Sequence, residues 1–440
     1  MKVGEITVIK KNLLKSLALV LTFSVFVPFS SKAYASDSEP TITSESAIVV
    51  DYDTGEIIYE KNANDKKFLA STTKLMTALL FAQNKQKTDM LTYSQDAKNQ
   101  PPYTLDNDYM KPYGKSLNVG DSISADTIMK GLLLFSGNDT AYVIADNVSN
   151  NSQEFVSLMN NKASELGLKD THFENPNGLP VNGSDVNYST AYELALLTKE
   201  AYENDWIREV MSMSNATVTL PQNTIVTLQN RNTELNKNGN IGGKTGVTDA
   251  AGTCFAGVYE KDGRKLIGVV LKCDRNNNNK RFEELKNMMD YSFDAKKENY
   301  KESGSELGNV TLNYKIFGSF GPEKTINVPV TLADDIKLYK NNINNNETTV
   351  NFTDLDNTDA WKAASNKTVP VTVSVKNYSE NVNGTIELSK STLIKANLLI
   401  YISIVAAIIV VLIIIILIIS LIKKAANRKS RSTYGRRRRY

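Results

Sequence analysis

The spacing of hydrophobic and polar positions changes period several times along this chain. Ser46 to Val50 and Glu56 to Glu60 are largely apolar runs separated by Asp53-Thr54-Gly55, which predicts two strands joined by a turn. Helical spacing then takes over in Ser71 to Ala82, Ala125 to Phe135, Thr140 to Val148, Gln153 to Leu166 and Ala191 to Glu203. Strands return at Gly252 to Tyr259 and Lys265 to Cys273, around the hairpin signal Lys261-Asp262-Gly263-Arg264. Arg281 to Phe293 follows as a closing helix. This order predicts an α+β domain with one antiparallel sheet over residues 40–300. Composition shifts near Lys301 to Leu307. Beyond it, short alternating runs such as Val310 to Ile316 and Val369 to Val375 predict a small all-β domain over 305–388. The asparagine runs Asn276 to Asn279 and Asn344 to Asn346 read as solvated loops with no chemistry implied.

The two ends have a different character. Lys10, Lys11 and Lys15 precede a mostly apolar stretch, Leu17 to Phe29, and the small-residue site Ala33-Tyr34-Ala35. That pattern predicts a signal peptide over 1–35 and a mature chain from Ser36; the alternative is an uncleaved anchor helix. Near the other end, Lys390 to Ala396 leads into Leu398 to Ile422, which carries no charge. As a helix this run reaches ~37 Å, enough to cross a ~30 Å hydrocarbon core with some tilt. Tyr401 lies where an interfacial aromatic belongs. Nine Lys and Arg residues follow in the tail 423–440, which predicts a cytoplasmic C-terminus and an extracytoplasmic chain before the helix. Beside a spanning helix the basic tail reads as an orientation signal that also attracts anionic lipid, not as a nucleic-acid patch.

Composition narrows the chemistry. Of 440 residues, 41% are hydrophobic and 22% charged, which supplies a sizeable core and rules out wholesale disorder. The net charge of +3 does not suggest a nucleic-acid binder. Two cysteines exclude a disulfide scaffold and a cysteine zinc cage, and the single histidine, His172, excludes a histidine-built metal site. In the predicted hairpin Cys254 faces Leu271 and Cys273 faces Gly252, so the thiols share a face diagonally at ~7 Å or more, long for a bridge. Catalysis is left to Ser, Lys, Asp, Glu or Tyr, with no cofactor or metal expected.

Three short motifs supply such groups. In Ser71-Thr72-Thr73-Lys74, a serine at a helix N-terminus can offer its own N–H to a developing oxyanion. Lys74 lies about one turn away on the same face and can accept the serine proton if its pKa is lowered. Ser136-Gly137-Asn138, in a polar turn between helices, offers a hydroxyl and an amide; ordinary turn or capping chemistry explains it equally well. Lys244-Thr245-Gly246, at the start of a strand, can anchor a carboxylate. Gly246 would admit a ligand to the strand edge, and the Val247 N–H would be a second oxyanion donor. Each motif alone is weak. Their order, with gaps of 65 and 108 residues, is far more specific.

With these motifs, and with Val50-Asp51-Tyr52-Asp53-Thr54-Gly55, Asn175-Pro176-Asn177-Gly178-Leu179 and Val247 to Gly252, residues 40–300 resemble the catalytic domain of the low-molecular-mass penicillin-binding proteins, the serine-type D-alanyl-D-alanine carboxypeptidases. The resemblance implies a serine β-lactamase/penicillin-binding-protein-like fold, followed by the family's C-terminal β domain. It implies cleavage of peptidoglycan stem peptides ending in D-Ala-D-Ala and covalent inhibition by β-lactams. Ser71 would be the nucleophile and Lys74 its base. Ser136 and Lys244 would relay the proton to the leaving amine, and Lys244 would help keep Lys74 neutral. Asn138 would hold the substrate amide and Thr245 its carboxylate. Arg281 aligns with a family arginine near that carboxylate, though a solvated helix residue is its plain alternative. Asn187 stands where the family often has histidine, and a transmembrane helix replaces the amphipathic tail common in relatives. Rival readings are a peptidoglycan endopeptidase of the same fold, a class A β-lactamase, disfavoured because its E-x-x-L-N pattern is absent, and an inactive wall-binding protein.

Overall fold

Five strands form the sheet on which the molecule is built: β1 (Ser46–Asp51), β2 (Ile57–Lys61), β3 (Asn240–Thr248), β4 (Gly252–Lys261) and β5 (Arg264–Cys273). Their order is β2-β1-β5-β4-β3, with every neighbour antiparallel. One face sends Ile48, Val50, Cys254, Ala256, Val258, Ile267 and Val269 into a core shared with the helical middle of the chain. The other packs Val49, Phe255, Tyr259, Leu266 and Val270 against Phe282, Leu285, Met288 and Met289 of the closing helix. Because both faces are covered, β1 reads as a continuous apolar run and not as an alternating one.

The structure, a computed structural model, describes residues 39–352 and 358–436. The signal-peptide reading of 1–35 lies outside the described residues, as does the end of the basic tail. The helices that matter are α1 (Lys74–Asn84), α2 (Ala125–Lys130), α3 (Asn138–Val148), α4 (Ser152–Glu165), α5 (Ala191–Glu203) and α6 (Lys280–Asp294). Thr190 caps α5 by accepting from the Glu193 N–H, with the acidic side chain in the first turn. The helical run expected to Phe135 changes character at Gly131. Gly131–Phe135 widens into a π-helical turn that stops at Ser136 in the left-handed conformation (φ 69°). A hairpin of Asn215–Leu220 with Thr224–Gln229, unforeseen above, adds a separate two-stranded sheet.

Two expectations about β3 to β5 are corrected. Lys244-Thr245-Gly246 lies inside β3, the edge strand, and not at its start. The Asp262-Gly263 turn is as expected, with φ of 52° and 81°. However, a bulge lets Thr253 pair with Cys273 while Phe255 pairs with Val270, and Lys272 takes a φ of 56°. The slip turns the two thiols to opposite faces. Cys254 joins the main core, its Sγ 3.7 Å from the Phe68 carbonyl, whereas Cys273 meets Glu284 of α6 at 3.7 Å. Both are free.

A second antiparallel sheet contains β6 (Glu306–Lys315), β7 (Glu323–Leu332), β8 (Thr349–Phe352), β9 (Thr368–Val375) and β10 (Tyr378–Ile386), ordered β6-β7-β10-β9-β8. It is not loosely tethered to the first. Val371, Val373 and Val375 of β9 belong to the main core, and Tyr339 packs with the α6 side of the first sheet. The Asn344 to Asn346 run is not a loop: Asn342–Glu347 is a short helix capped by Asn341. Buried Asn341 and Asn344 each donate to the Ile57 carbonyl of β2 at 2.9 Å. The chain leaves through α7 (Lys390–Ala396) and α8 (Leu398–Arg436), whose side chains from Ile402 to Arg428 are all exposed. Leu398–Arg428 is long and apolar enough to cross a membrane.

Candidate active site

The site forms where the start of α1, the turn before α3 and the edge strand β3 converge. Ala70–Thr73 is a 3-10 turn running directly into α1, and the first N–H groups of such a turn have no partner within it. Ala70 holds a φ of 46°, a conformation costly for a residue with a Cβ, and Ser136 is also left-handed; this strain gathers at the site. Packing imposes the bend. A Cβ at Gly178 would lie 1.9 Å from the Ala70 carbonyl oxygen, and one at Gly246 would lie 2.8 Å from the Leu69 carbonyl oxygen. Gly246 therefore lets the nucleophile turn approach the strand, a task it has besides its place in the cleft wall.

Lys74 is wholly buried and uses every donor. Its Nζ lies 2.9 Å from Ser71 Oγ, 3.1 Å from Asn138 Oδ1 and 2.9 Å from the Asn177 carbonyl oxygen. A neutral amine, with two N–H bonds and one lone pair, suits two fixed acceptors and one hydroxyl. Burial, aided by the Arg231 guanidinium and opposed by Asp139, lowers the Lys74 pKa to about 7. Lys244 is equally buried and donates to Ser136 Oγ at 2.8 Å and to the Thr245 carbonyl at 2.9 Å. Burial first, then Lys74, Arg231 and Arg281, hold its pKa well below the usual lysine range. The two buried lysines disfavour each other's charge, and burial with Arg231 keeps Lys74 deprotonable.

These groups open on a cleft of about 500 Å³ lined by Ser71, Ser136, Asn138, Thr245, Gly246, Val247 and Arg281, together with Tyr103, Arg231, Asn278 and others. All the residues predicted from sequence therefore meet at one place, with Lys74 and Lys244 just beneath it. Asn138 has a structural task as well. Its Oδ1 accepts from Lys74 and its Nδ2 donates to the Pro102 carbonyl at 2.8 Å, which fixes the amide in the cleft wall with a second N–H to spare. Arg281, at the start of α6, is buried. Its Nη1 donates to the Gly246 carbonyl at 3.3 Å, and its buried Nε has no hydrogen-bond partner among the described residues. Burial lowers its pKa to about 10, which leaves it cationic at neutral pH.

Several contributors were not read from the sequence. Arg231 stacks its guanidinium 4.5 Å from the Tyr103 ring centroid and donates Nε to the Phe135 carbonyl at 2.6 Å. The Asn175–Leu179 segment, noted above only as a matching stretch, supplies the Asn177 carbonyl to Lys74. Asn278 and Asn279, whose asparagine run predicts a solvated loop with no chemistry, line the cleft. Asn187, in the position where histidine was noted, is buried and staples this segment. Its Nδ2 donates to Thr73 Oγ1 at 3.1 Å and to the Asn175 carbonyl at 2.9 Å, and its Oδ1 accepts from the Glu174 N–H at 2.8 Å. His172 pairs with Glu174 at the surface and is not among the residues lining the cleft.

Comparison with known proteins agrees with this geometry. The family model for D-alanyl-D-alanine carboxypeptidases matches residues 33–275. The chain is 30% identical to the D-alanyl-D-alanine carboxypeptidase DacF of Bacillus subtilis over 64% of this chain and 71% of that one. Among solved structures, a D-alanyl-D-alanine carboxypeptidase of Mycobacterium tuberculosis superposes with a TM-score of 0.53 at 26% identity, over 58% of this chain and 93% of that one. A penicillin-binding protein of Listeria monocytogenes bound to cefotaxime gives a TM-score of 0.50 at 28% identity, over 58% of this chain and 99% of that one. The fold is that of the penicillin-binding proteins, and the chain belongs to the D-alanyl-D-alanine carboxypeptidase family of serine peptidases.

Proposed function

We infer that this protein removes the terminal D-alanine from peptidoglycan stem peptides through an acyl-enzyme on Ser71. The observation that carries the reading is the 2.9 Å contact between Ser71 Oγ and a buried Lys74 whose pKa is near neutrality. Lys74 takes the Ser71 proton as Oγ attacks the carbonyl carbon of the penultimate residue. The N–H groups of Ser71 and Val247 would receive the oxyanion. The C–N bond then breaks, and a proton passing through Ser136 and Lys244 leaves with the D-alanine amine. Water cleaves the ester and restores Ser71. Thr245, Arg281 and Arg231 would receive the substrate carboxylate, which suits a cleft whose described lining holds three arginines and no carboxylate. The same feature argues against a class A β-lactamase, whose deacylation runs on a glutamate. β-Lactams would acylate Ser71. Residues 40–300 form the catalytic unit in this reading, 305–388 a supporting β domain, and 398–422 a spanning helix. The catalytic unit then faces the cell wall, with the tail 423–440 in the cytoplasm.

The test incubates the full chain in detergent with a stem peptide ending in D-Ala-D-Ala and with its cross-linked dimer, read by mass spectrometry beside Ser71→Ala. Loss of one D-alanine from the monomer, abolished by the substitution, is expected. Cleavage of the dimer alone would make the enzyme an endopeptidase. No turnover of either, with stable β-lactam labelling, would point to a binding protein.

A further inference from the structure

The end of the β domain nearest α8 carries an aromatic cluster that the catalytic reading does not use. It sits on the β6–β7 hairpin, Ile316 to Pro322. Phe317 and Phe320 stack there with ring centroids 5.1 Å apart, and Phe320 is 65% exposed. Phe317 also meets the Tyr401 ring edge-on at 5.6 Å, and the Tyr401 hydroxyl donates to the Ile316 carbonyl. Trp361 hangs beside them, its indole N–H donating to the Lys315 carbonyl at 2.7 Å. Tyr401 belongs to the first turn of α8, so the hairpin tip lies level with the start of the apolar helix.

The junction is fixed by more than this tip. Leu393 of α7 is fully buried in the β core. Asn397, between α7 and α8, is buried as well. Its Nδ2 donates to the Tyr314 hydroxyl at 2.7 Å and its Oδ1 accepts from Lys324 Nζ at 2.9 Å. The buried asparagine replaces what a flexible linker would leave free, and it holds a lysine beside the start of the helix. Aromatic side chains at one depth, with a cation next to them, match the headgroup layer of a bilayer, where amphipathic rings and phosphates are both accommodated.

We propose that the β6–β7 hairpin tip is a second membrane contact, in which Phe317, Phe320 and Trp361 enter the interfacial layer of the leaflet that α8 crosses. The β domain then stands on the membrane as a rigid pedestal, and the catalytic cleft is held at a set height above the lipid. This rests on the reading of α8 as a spanning helix. A spanning helix alone would leave the domain free to tilt; a second contact beside it removes that freedom.

The test reconstitutes two full-length variants, Phe320→Trp and Ile225→Trp, into vesicles containing anionic lipid and a spin label at the headgroup. Ile225 is equally exposed, at 65%, but lies in the catalytic unit. Both variants retain the native tryptophans, so their difference reports the new site. The expected result is co-flotation of both variants with the vesicles and a larger loss of fluorescence for Phe320→Trp than for Ile225→Trp, in which only the native Trp361 lies at the headgroup depth. Co-flotation with no excess quenching of Phe320→Trp would overturn the second contact while leaving the spanning helix intact. A chain that does not float with the vesicles would overturn both. Both substitutions are at exposed positions, and unchanged β-lactam labelling confirms that the variants are folded.

Discussion

At the scale of single residues, the site works because two lysines are kept out of water. Below pH about 7 Lys74 carries a proton and cannot accept another from Ser71; above it the free amine dominates. The rate of β-lactam acylation should therefore rise by about tenfold per pH unit below neutrality and level off above it. Arg231→Gln removes a cation that disfavours protonated Lys74, so the rising limb should move to higher pH; stopped-flow acylation at a series of pH values reads both. Arg281→Gln should act differently. If Arg281 receives the substrate carboxylate as proposed, the substitution deletes that charged donor, and KM for the stem peptide should rise about ten- to a hundredfold. These residues were unequally legible. Ser71 and Lys74 are three positions apart, and local spacing announces them. The third partner of Lys74 is the carbonyl of Asn177, 103 positions away. A backbone oxygen has no side-chain identity to mark it, so only the fold could show it. Arg231 was missed for a related reason: its place over Tyr103 depends on the unforeseen hairpin that precedes it.

At the scale of elements, the nucleophile turn owes its shape to its neighbours. Gly178→Ala would drive a methyl into the Ala70 carbonyl at a position whose φ is +81°. It should displace the Asn177 carbonyl from Lys74, lower the acylation rate by more than about a hundredfold, and cost more than the ~1–2 kcal/mol of a left-handed alanine alone. Gly55→Ala is the control. Its φ is +77° but nothing among the described residues lies within 4 Å of an added Cβ, so it should show the backbone cost in a urea melt with acylation unchanged. The β4–β5 hairpin makes a separate prediction. Its bulge turns Cys254 and Cys273 to opposite faces, so alkylation of the unfolded, unreduced protein should modify two thiols. The turn of that hairpin was readable because Asp-Gly chemistry is local. The bulge was not, since it answers to packing on both faces of the sheet. Likewise, periodicity located the helix from Ala125 but not the π-helical turn that presents Ser136, where two helical geometries share one apolar pattern.

At the scale of the whole molecule, the division into catalytic and β units was legible from composition, but their mutual dependence was not. Asparagine runs look solvated in sequence, yet Asn341 and Asn344 are buried and donate to the Ile57 carbonyl in β2, the edge strand of the first sheet opposite the site. Arg264 donates to the Tyr339 hydroxyl at 3.0 Å across the same seam. Valines of β9 complete a core that otherwise belongs to the catalytic unit. A chain ending at Lys301 would leave this apolar surface bare. The catalytic-unit side chains that Val371, Val373 and Tyr339 cover would return to water, at about 1.5–3 kcal/mol for each large one. That is comparable to the whole stability of a domain, so the β unit contributes to folding of the enzyme as well as to its position. The chain ending at Lys301 should unfold at a markedly lower urea concentration than one ending at Asn397. Equal midpoints would show instead that the β unit is a passive spacer. Asn344→Leu in the longer chain separates the polar from the apolar part of the seam. It leaves the Ile57 carbonyl with one donor fewer and should cost about 1–3 kcal/mol, with acylation of Ser71 unaltered, because the seam and the cleft lie at opposite edges of the sheet.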